Sequence, residues 1–263
     1  MIVHKLLATL KKDAIAAVRY RHGFLVAIVS QFVQLATFYY LARAVGPQFR
    51  PEGVPYFLFL LVGTGFYTFL LAGIHAFLRG IHEPQQTGTL EVLLTTATPA
   101  SVLVFLNAVS AFAAGALQLA LYLCAGIIIF HPALHVNIPA CILIFFLSVL
   151  LAVAVGLFAA GLQVWIQKGS SVLWLLGAGA WLMSGTLFPV SALPKAARLV
   201  SFAIPFTHSL SAMRMALLSP NSPLLTREVA LLGMFAVLLV PAGTFFFSAT
   251  VHRARQNGTL SFY

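Results

Sequence analysis

The chain is 263 residues long, and 61% of its residues are hydrophobic while only 8% are charged. A soluble domain carries charge on about a quarter of its residues, so this composition excludes a soluble globular protein and indicates an all-α protein that crosses the membrane several times. The formal net charge is +10 at pH 7. Basic residues at the ends of spans set topology and contact anionic lipid. No basic patch is interleaved with stacking aromatic residues outside the apolar runs, so nucleic acid is not an expected partner.

Residues 1–22 predict an amphipathic helix at the membrane surface. At 100° per residue, one face of residues 3–19 is apolar and the opposite face is basic, with Ile15 as the exception. The basic face consists of Lys5, Lys11, Lys12 and Arg19. Because these lysines and Asp13 interrupt any apolar core, the segment does not have the pattern of a signal peptide.

Six apolar runs predict membrane-spanning helices. They cover residues 24–42, 56–77, 101–130, 139–167, 171–188 and 226–250. The fifth run is short and rich in glycine. In the fourth run Ala152, Gly156 and Ala160 recur every four residues, a spacing that allows helices to pack closely in lipid.

Between the second and third runs lies a segment too polar for lipid, residues 83–98. Leu90, Leu93 and Leu94 share one face of a helix at this spacing. Glu91 points away from that face. These features predict a short amphipathic helix lying at the membrane surface, and an ordinary polar loop between two spans is the alternative.

Residues 189–225 are unusual because three prolines, Pro189, Pro194 and Pro205, divide them into apolar pieces too short to cross a bilayer. The two pieces are 194–204 and 205–218. The charged side chains of this region, which would be costly at mid-membrane, are Lys195, Arg198 and Arg214. We expect a helix–turn–helix that enters the outer leaflet and returns. A single span over 196–218, which would make seven spans, is the alternative.

Six spans place both ends of the chain on the same side of the membrane. With the amino terminus inside, nine Lys and Arg residues fall on inner segments and six on outer segments, and five of the nine precede the first span. The excess of positive charge marks the cytoplasmic side. The distribution therefore predicts cytoplasmic termini, a cytoplasmic helix over 83–98 and an external hairpin within 189–225.

No set of side chains predicts catalysis or a metal site. His131 and His135 are four residues apart, but no third ligand lies near them in sequence. A catalytic site would need a clustered nucleophile and base, and the chain lacks the G-x-x-x-x-G-K-[ST] loop that cradles ATP phosphates. Cys124 and Cys141 lie in or beside apolar runs, and the sequence leaves open whether they pair.

Three features, in this order along the chain, make it resemble the type-2 ABC transporter permeases, the membrane subunits of bacterial ABC exporters. The first is the basic amphipathic helix before the first span. The second is Gly88-Thr89-Leu90-Glu91 with Leu93, Leu94 and Pro99. The third is Gly185-Thr186-Leu187-Phe188-Pro189 with Leu193, Pro194, Pro205 and Arg214. The resemblance covers nearly the whole chain and implies one transmembrane domain over 1–263.

The resemblance implies a dimer of permeases, two identical or related copies around a central path, in the bacterial cytoplasmic membrane. Two cytoplasmic ATPase subunits would lie beneath it and bind ATP and Mg, so this chain would carry no cofactor. The implied ATPase-coupling residues are Glu83, Gly88, Thr89, Leu90, Glu91, Leu93 and Leu94. The implied external re-entrant element, near the exit, includes Phe188, Pro189, Pro194, Pro205 and Arg214.

The expected cargo is an amphipathic, lipid-like or drug-like molecule, because the Gly-Thr-Leu-Glu form is closer to the drug- and lipid-exporting branch of the family. Exporters of polysaccharide often carry a Lys-aromatic-Pro segment before the third span, where this chain reads Thr-Thr-Ala-Thr-Pro over 95–99. A lipid-linked polysaccharide is the alternative cargo. Aromatic residues that could line the path, or else simply pack or face lipid, are Phe32, Phe38, Tyr39, Phe66 and Tyr67.

An ion-coupled secondary transporter is the rival class. Such proteins usually hold ionisable residues at mid-membrane. None of the five acids of this chain lies at the centre of a predicted span, and they are Asp13, Glu52, Glu83, Glu91 and Glu228. The distribution therefore disfavours ion coupling.

Overall fold

The computed structural model describes residues 21–86, 100–131, 136–166, 170–219 and 222–256, and within them the chain is helical and contains no strand. The helices are α1 (Arg21–Val45), α2 (Tyr56–Gln86), α3 (Ala100–Phe130), α4 (Ile138–Ile166), α5 (Ser170–Met183), α6 (Lys195–Ala203), α7 (Pro205–Leu218) and α8 (Leu224–Gln256). Two short 3-10 turns, Pro51–Gly53 and Val190–Ala192, lie in the connections. The all-α prediction is confirmed for this part of the chain.

Four of these helices are long and apolar enough to cross a membrane. They contain the stretches Tyr56–Gly80, Phe105–Phe130, Ile138–Ile166 and Leu224–Ala254, in α2, α3, α4 and α8. Helix α5 has 14 residues, which is about 21 Å at 1.5 Å per residue, against a hydrocarbon core of about 30 Å. The structure therefore supports a multi-pass helical membrane protein, and the predicted number of six spans stays a prediction.

Helix α2 is the central helix of the bundle. In its most apolar stretch 83% of the residues are buried inside the protein, against 28% in α3 and 17% in α8. It contacts α1, α3, α4 and α7, while α8 packs along α4 and touches α7. Helices α3 and α8 therefore keep apolar surface turned outward, as helices in contact with lipid do.

Helices α4 and α8 approach each other closely because a glycine stands at their crossing. A Cβ atom added at Gly243 of α8 would lie 2.8 Å from the carbonyl oxygen of Ala154 in α4. On α4, the small residues Ala152, Gly156 and Ala160 are all buried. Close contact between helices is what drives their association in lipid, where burial of apolar surface gives little advantage.

One end of the bundle, which we call the hairpin end, carries the two short helices α6 and α7. Three contacts fix their neighbours there: Asn137 N donates to Ala216 O over 2.8 Å, Tyr56 Oη donates to Leu187 O over 3.1 Å, and the guanidinium of Arg214 bonds to Phe59 O. The starts of α2 and α4 are therefore at the hairpin end. The end of α2 and the start of α3, which border residues 87–99, are at the opposite end.

Two predicted boundaries differ from the structure. The fifth run was expected to continue to residue 188, but α5 ends at Met183 because the chain turns at Gly185, whose φ of +78° is readily adopted only by glycine. The helix expected to begin at residue 83 does not begin there, because α2 continues to Gln86. Pro84 lies near the end of α2, and from sequence alone such a proline cannot be distinguished from one in the first turn of a new helix.

Candidate functional site

The hairpin consists of α6 and α7, which are separated by a single extended residue, Ile204, at φ −85° and ψ 115°. Pro205 explains the break, because its ring disfavours the helical conformation of the residue before it and its missing N–H suits the first turn of the next helix. Pro194 and Pro189 stand immediately before α6 and before the Val190–Ala192 turn in the same way. These are the positions where the sequence predicts a division into short pieces.

The two helices of the hairpin differ in burial. Most of α7 is buried against α2, α4 and α8. In α6, Leu199, Val200 and Phe202 are exposed, and the Ser201 side chain is buried. Helix α7 is thus part of the protein core, although its polar residues include Thr207, His208, Ser209 and Arg214.

Arg214 is the most completely enclosed charge of the described residues, with only 3% of its surface exposed. Its Nε and Nη2 atoms donate to Phe59 O over 3.2 and 3.1 Å, and Nη2 also donates to Thr186 O over 3.1 Å. Its Cζ atom lies 3.5 Å from the centre of the Phe59 ring, a cation–π contact. Within the described residues, no carboxylate forms a salt bridge with it. Two carbonyl dipoles and an aromatic face are therefore its direct contacts, and Glu52 acts on it electrostatically without forming a salt bridge.

Gly63 makes room for this guanidinium. A Cβ atom at Gly63 would lie 1.9 Å from Arg214 Nη2 and 2.9 Å from Thr186 O. No side chain fits in that space while the arginine keeps its hydrogen bonds. Sequence reasoning missed Gly63, since a glycine inside an apolar helix usually signals only close helix packing.

The Gly185-Thr186-Leu187-Phe188-Pro189 motif supplies the second carbonyl. Thr186 is buried, and its Oγ1 donates to Trp181 O over 2.6 Å, with Ser184 Oγ at 3.0 Å. These contacts fix the turn after α5, and Thr186 O then accepts from Arg214. The structure thus brings together Arg214 and the turn motif, two features that the sequence marked separately.

A second buried cation lies on the same helix. His208 is 6% exposed, and its Nδ1 is 2.7 Å from Glu228 Oε2 of α8 while its Nε2 is 3.0 Å from Phe202 O of α6. A carbonyl oxygen only accepts, and so does an ionised carboxylate. With an ionised Glu228 both ring nitrogens carry hydrogen, and the ring is assigned the imidazolium form on that basis. Sequence reasoning missed this pair because the two residues are 20 positions apart and Glu228 stands near the start of the last apolar run, away from its centre.

An apolar cavity of about 370 Å³ lies between α2, α4, α5, α7 and α8. Its walls include Leu71, Ile74, Val155, Phe158, Leu162 and Phe246. Its few polar groups include the hydroxyl of Tyr67, which donates to Gly177 O over 3.1 Å, and the side chain of His75. Pro205 and Phe206 line it as well, so the cavity reaches the start of α7. Such a space suits an apolar guest.

The predicted path residues separate in the structure. Tyr67 lines the apolar cavity. Phe66 and Phe38 are buried in side-chain packing, whereas Phe32 is 49% exposed on the outside of α1. Tyr39 lies at the hairpin end, where its ring stacks on Phe130. A path-lining role for these five residues stays a prediction.

Part of the predicted site lies outside the described residues. This holds for the coupling residues from Gly88 to Leu94 and for residues 1–20 of the N-terminal helix. Glu83 falls in the last turns of α2. The coupling role of these residues stays a prediction.

Two comparisons with known proteins bear on identity. A sequence model of the family described as ABC-2 type transporter matches residues 4–218. The match covers more than half of the chain and ends at the last residue of α7. A search of curated proteins found no significant match.

Proposed function

Because this chain belongs to the ABC-2 type transporter family, we propose that it is the permease of an ATP-driven exporter that moves an amphipathic, lipid-like or drug-like molecule out of the cytoplasm. Members of this family are transport subunits rather than enzymes, and ATP is hydrolysed on a separate ABC ATPase.

The apolar cavity is the observation that carries the proposed cargo. Its lining is almost entirely hydrocarbon and aromatic, and one of its few polar groups, the Tyr67 hydroxyl, is already engaged by Gly177 O. Sugar hydroxyls placed there would lose their hydrogen bonds to water without replacement, at a cost of a few kcal/mol each. An apolar chain or ring system loses nothing on entering. A lipid-linked polysaccharide, the second candidate, would match this cavity only through its lipid.

The proposed orientation places the hairpin outside the cell and residues 87–99 in the cytoplasm. The Lys and Arg distribution supports it. The geometry agrees, because the hairpin and the helix ends that border residues 87–99 are at opposite ends of the bundle. If the hairpin faces the outside, the helix ends that border residues 87–99 face the cytoplasm, where an ATPase can reach them.

We further propose a homodimer of this chain with two ATPase subunits in the bacterial inner membrane, with both termini cytoplasmic. The ATPases bring the ATP and Mg, and Glu91 with its neighbours couples the two layers. The support is the family membership together with the apolar outer surfaces of α3 and α8, which need lipid or another helix to cover them.

The test is ATPase stimulation in a reconstituted complex. The chain is co-purified with a candidate ABC ATPase of the same genome, placed in nanodiscs and titrated with lipids, apolar drugs and a lipid-linked polysaccharide. We expect amphiphiles to stimulate hydrolysis and Ala159→Trp, which fills the cavity, to abolish the stimulation without releasing the ATPase.

Val237→Trp is the control, because Val237 is 74% exposed on the outside of α8 and a tryptophan there lies outside the cavity. Normal stimulation of Ala159→Trp by amphiphiles would contradict the cavity as the binding place. Transport that continues without any ATPase would instead support the ion-coupled rival.

A further inference from the structure

A second cavity of about 440 Å³ opens at the hairpin end, and it differs in chemistry from the apolar one. It is formed by the end of α1, the connection to α2, the start of α2 and the end of α3. Two arginines, Arg43 and Arg50, contribute to its lining.

The floor of this cavity is aromatic. The rings of Tyr39 and Phe130 stack with centres 4.3 Å apart, and Phe57 meets Phe130 edge-on at 4.7 Å. On the other wall Phe49 meets Tyr56 edge-on at 5.0 Å. The Tyr56 hydroxyl donates to Leu187 O, so Tyr56 presents its ring rather than its hydroxyl to the cavity. This floor suits an apolar or planar part of a guest.

The rim is cationic and lacks a carboxylate. Arg43 Cζ lies 5.9 Å from the centre of the Tyr39 ring, and both arginine side chains are exposed. Among the described residues the salt bridge observed is that of His208 with Glu228, and Glu52, although close in sequence, pairs with neither arginine. Outer loops are usually poor in Lys and Arg, so two unpaired arginines beside one cavity at the predicted outer end need a reason.

We propose that this cavity binds the anionic headgroup of an amphiphile, with a phosphate between Arg43 and Arg50 and the adjoining apolar part on the aromatic floor. Planar guanidinium groups match phosphate oxygens with paired charge-assisted hydrogen bonds. A cationic guest would be attracted by the rings but repelled by two positive charges, so the site selects anions. The position of the site at the outer membrane surface rests on the proposed function, whereas the binding chemistry does not.

The experiment measures lipid retention by native mass spectrometry of the full chain in detergent. Phosphatidylglycerol, phosphatidylcholine, glycerol phosphate and inorganic phosphate are titrated separately. We expect phosphatidylglycerol to bind in preference to the other three, and the double variant Arg43→Gln, Arg50→Gln to lose about tenfold or more in affinity for it, because hydrogen bonds to a charged group are lost.

The matched control is the double variant Lys195→Gln, Arg227→Gln. It also removes two positive charges, but from exposed positions of α6 and α8 outside the cavity. This variant should keep the wild-type affinity for phosphatidylglycerol. An equal loss in both doubles would overturn the proposal in favour of general charge attraction. Glycerol phosphate or inorganic phosphate binding as tightly as the lipid would overturn its amphiphile part, since the aromatic floor would then contribute nothing.

Two further variants guard against misfolding. Arg50→Gln alone changes one exposed side chain, and Arg43→Lys with Arg50→Lys keeps the charge while losing the planar fork, so we expect intermediate affinities for both. Wild-type affinity in both would also contradict the site. A wild-type chain that retains no phosphatidylglycerol while amphiphiles still stimulate ATP hydrolysis would overturn this inference alone. Retention of the lipid by the wild-type chain without stimulated hydrolysis would overturn the proposed function alone.

Discussion

Helix α7 holds two buried cations that are neutralised in different ways. His208 faces α8 and pairs with the carboxylate of Glu228, whereas Arg214, six residues further on, faces α2 and bonds to the carbonyl oxygens of Phe59 and Thr186. At 100° per residue, six residues separate the two side chains to different sides of the helix. One helix is thus fastened to two neighbours by two kinds of contact.

The two contacts differ in how they respond to loss of a partner. Histidine sheds its proton near neutral pH, so a His208 without Glu228 can become neutral. Arginine does not deprotonate in proteins, so an Arg214 without its acceptors stays charged in the core. We therefore expect the α7–α2 contact to be far less tolerant of change than the α7–α8 contact.

The largest expected effect comes from Gly63→Ala. The added methyl group occupies the place of Arg214 Nη2, so the guanidinium must leave its acceptors while still buried. Breaking a buried charge interaction in this way costs roughly 3–5 kcal/mol. The measurement is the unfolding temperature of the purified chain in detergent. Gly233→Ala is the control, because a Cβ there meets nothing within 4 Å, and comparable shifts in both variants would contradict the role of Gly63.

Arg214→Met should destabilise less, by about 2–3 kcal/mol, because the charge itself is removed and only the hydrogen bonds to it are lost. In the double variant with Gly63→Ala, most of the glycine effect should disappear, since the group that the methyl displaces is gone. A double-mutant cycle from unfolding temperatures measures this coupling. Additive effects would mean that the two residues act independently.

Glu228→Gln should cost about 1–2 kcal/mol, less than either change at the α2 side. The amide still reaches His208, and the ring can become neutral. Arg227→Gln serves as the neighbouring control, exposed on the same turn of α8, and should stay within about 0.5 kcal/mol of the wild type. If Glu228→Gln destabilises more than Arg214→Met, the proposed ranking of the two contacts is wrong.

Glu91→Arg should leave stability unchanged and still abolish stimulated ATP hydrolysis, because its proposed partner lies on another protein. Losing one partner of a buried charged hydrogen bond at an interface costs roughly 2–5 kcal/mol of binding, more than tenfold in affinity. Gly88→Pro should act similarly. Co-purification of the ATPase with each variant is the measurement, and Glu52→Gln, an exposed change at the hairpin end, is the control. Normal binding of the ATPase by the Glu91→Arg variant would favour the alternative that this segment is an ordinary loop without a coupling role.

Sequence patterns located the long helices and the proline breaks of the hairpin, because hydropathy and proline chemistry act locally. The apolar runs 56–77, 101–130, 139–167 and 226–250 fall within α2, α3, α4 and α8, apart from Gln167. The environment of Arg214 was not predictable, because its acceptor Phe59 is 155 positions away and backbone carbonyls leave no mark in the sequence. The cost of burying a charge predicted only that Arg214 avoids mid-membrane, and the fold encloses it with carbonyl acceptors.

The two contacts of α7 can form at different times during synthesis, because their partner residues lie on opposite sides of α7 in the chain. Phe59 and Thr186 both precede Arg214, so they have already left the ribosome when the arginine emerges. Glu228 follows His208 by 20 positions, and it becomes available only once α8 has begun to enter the membrane. Helix α7 can therefore dock onto α2 first, and the arrival of the last helix completes the assembly by supplying the counter-ion of His208.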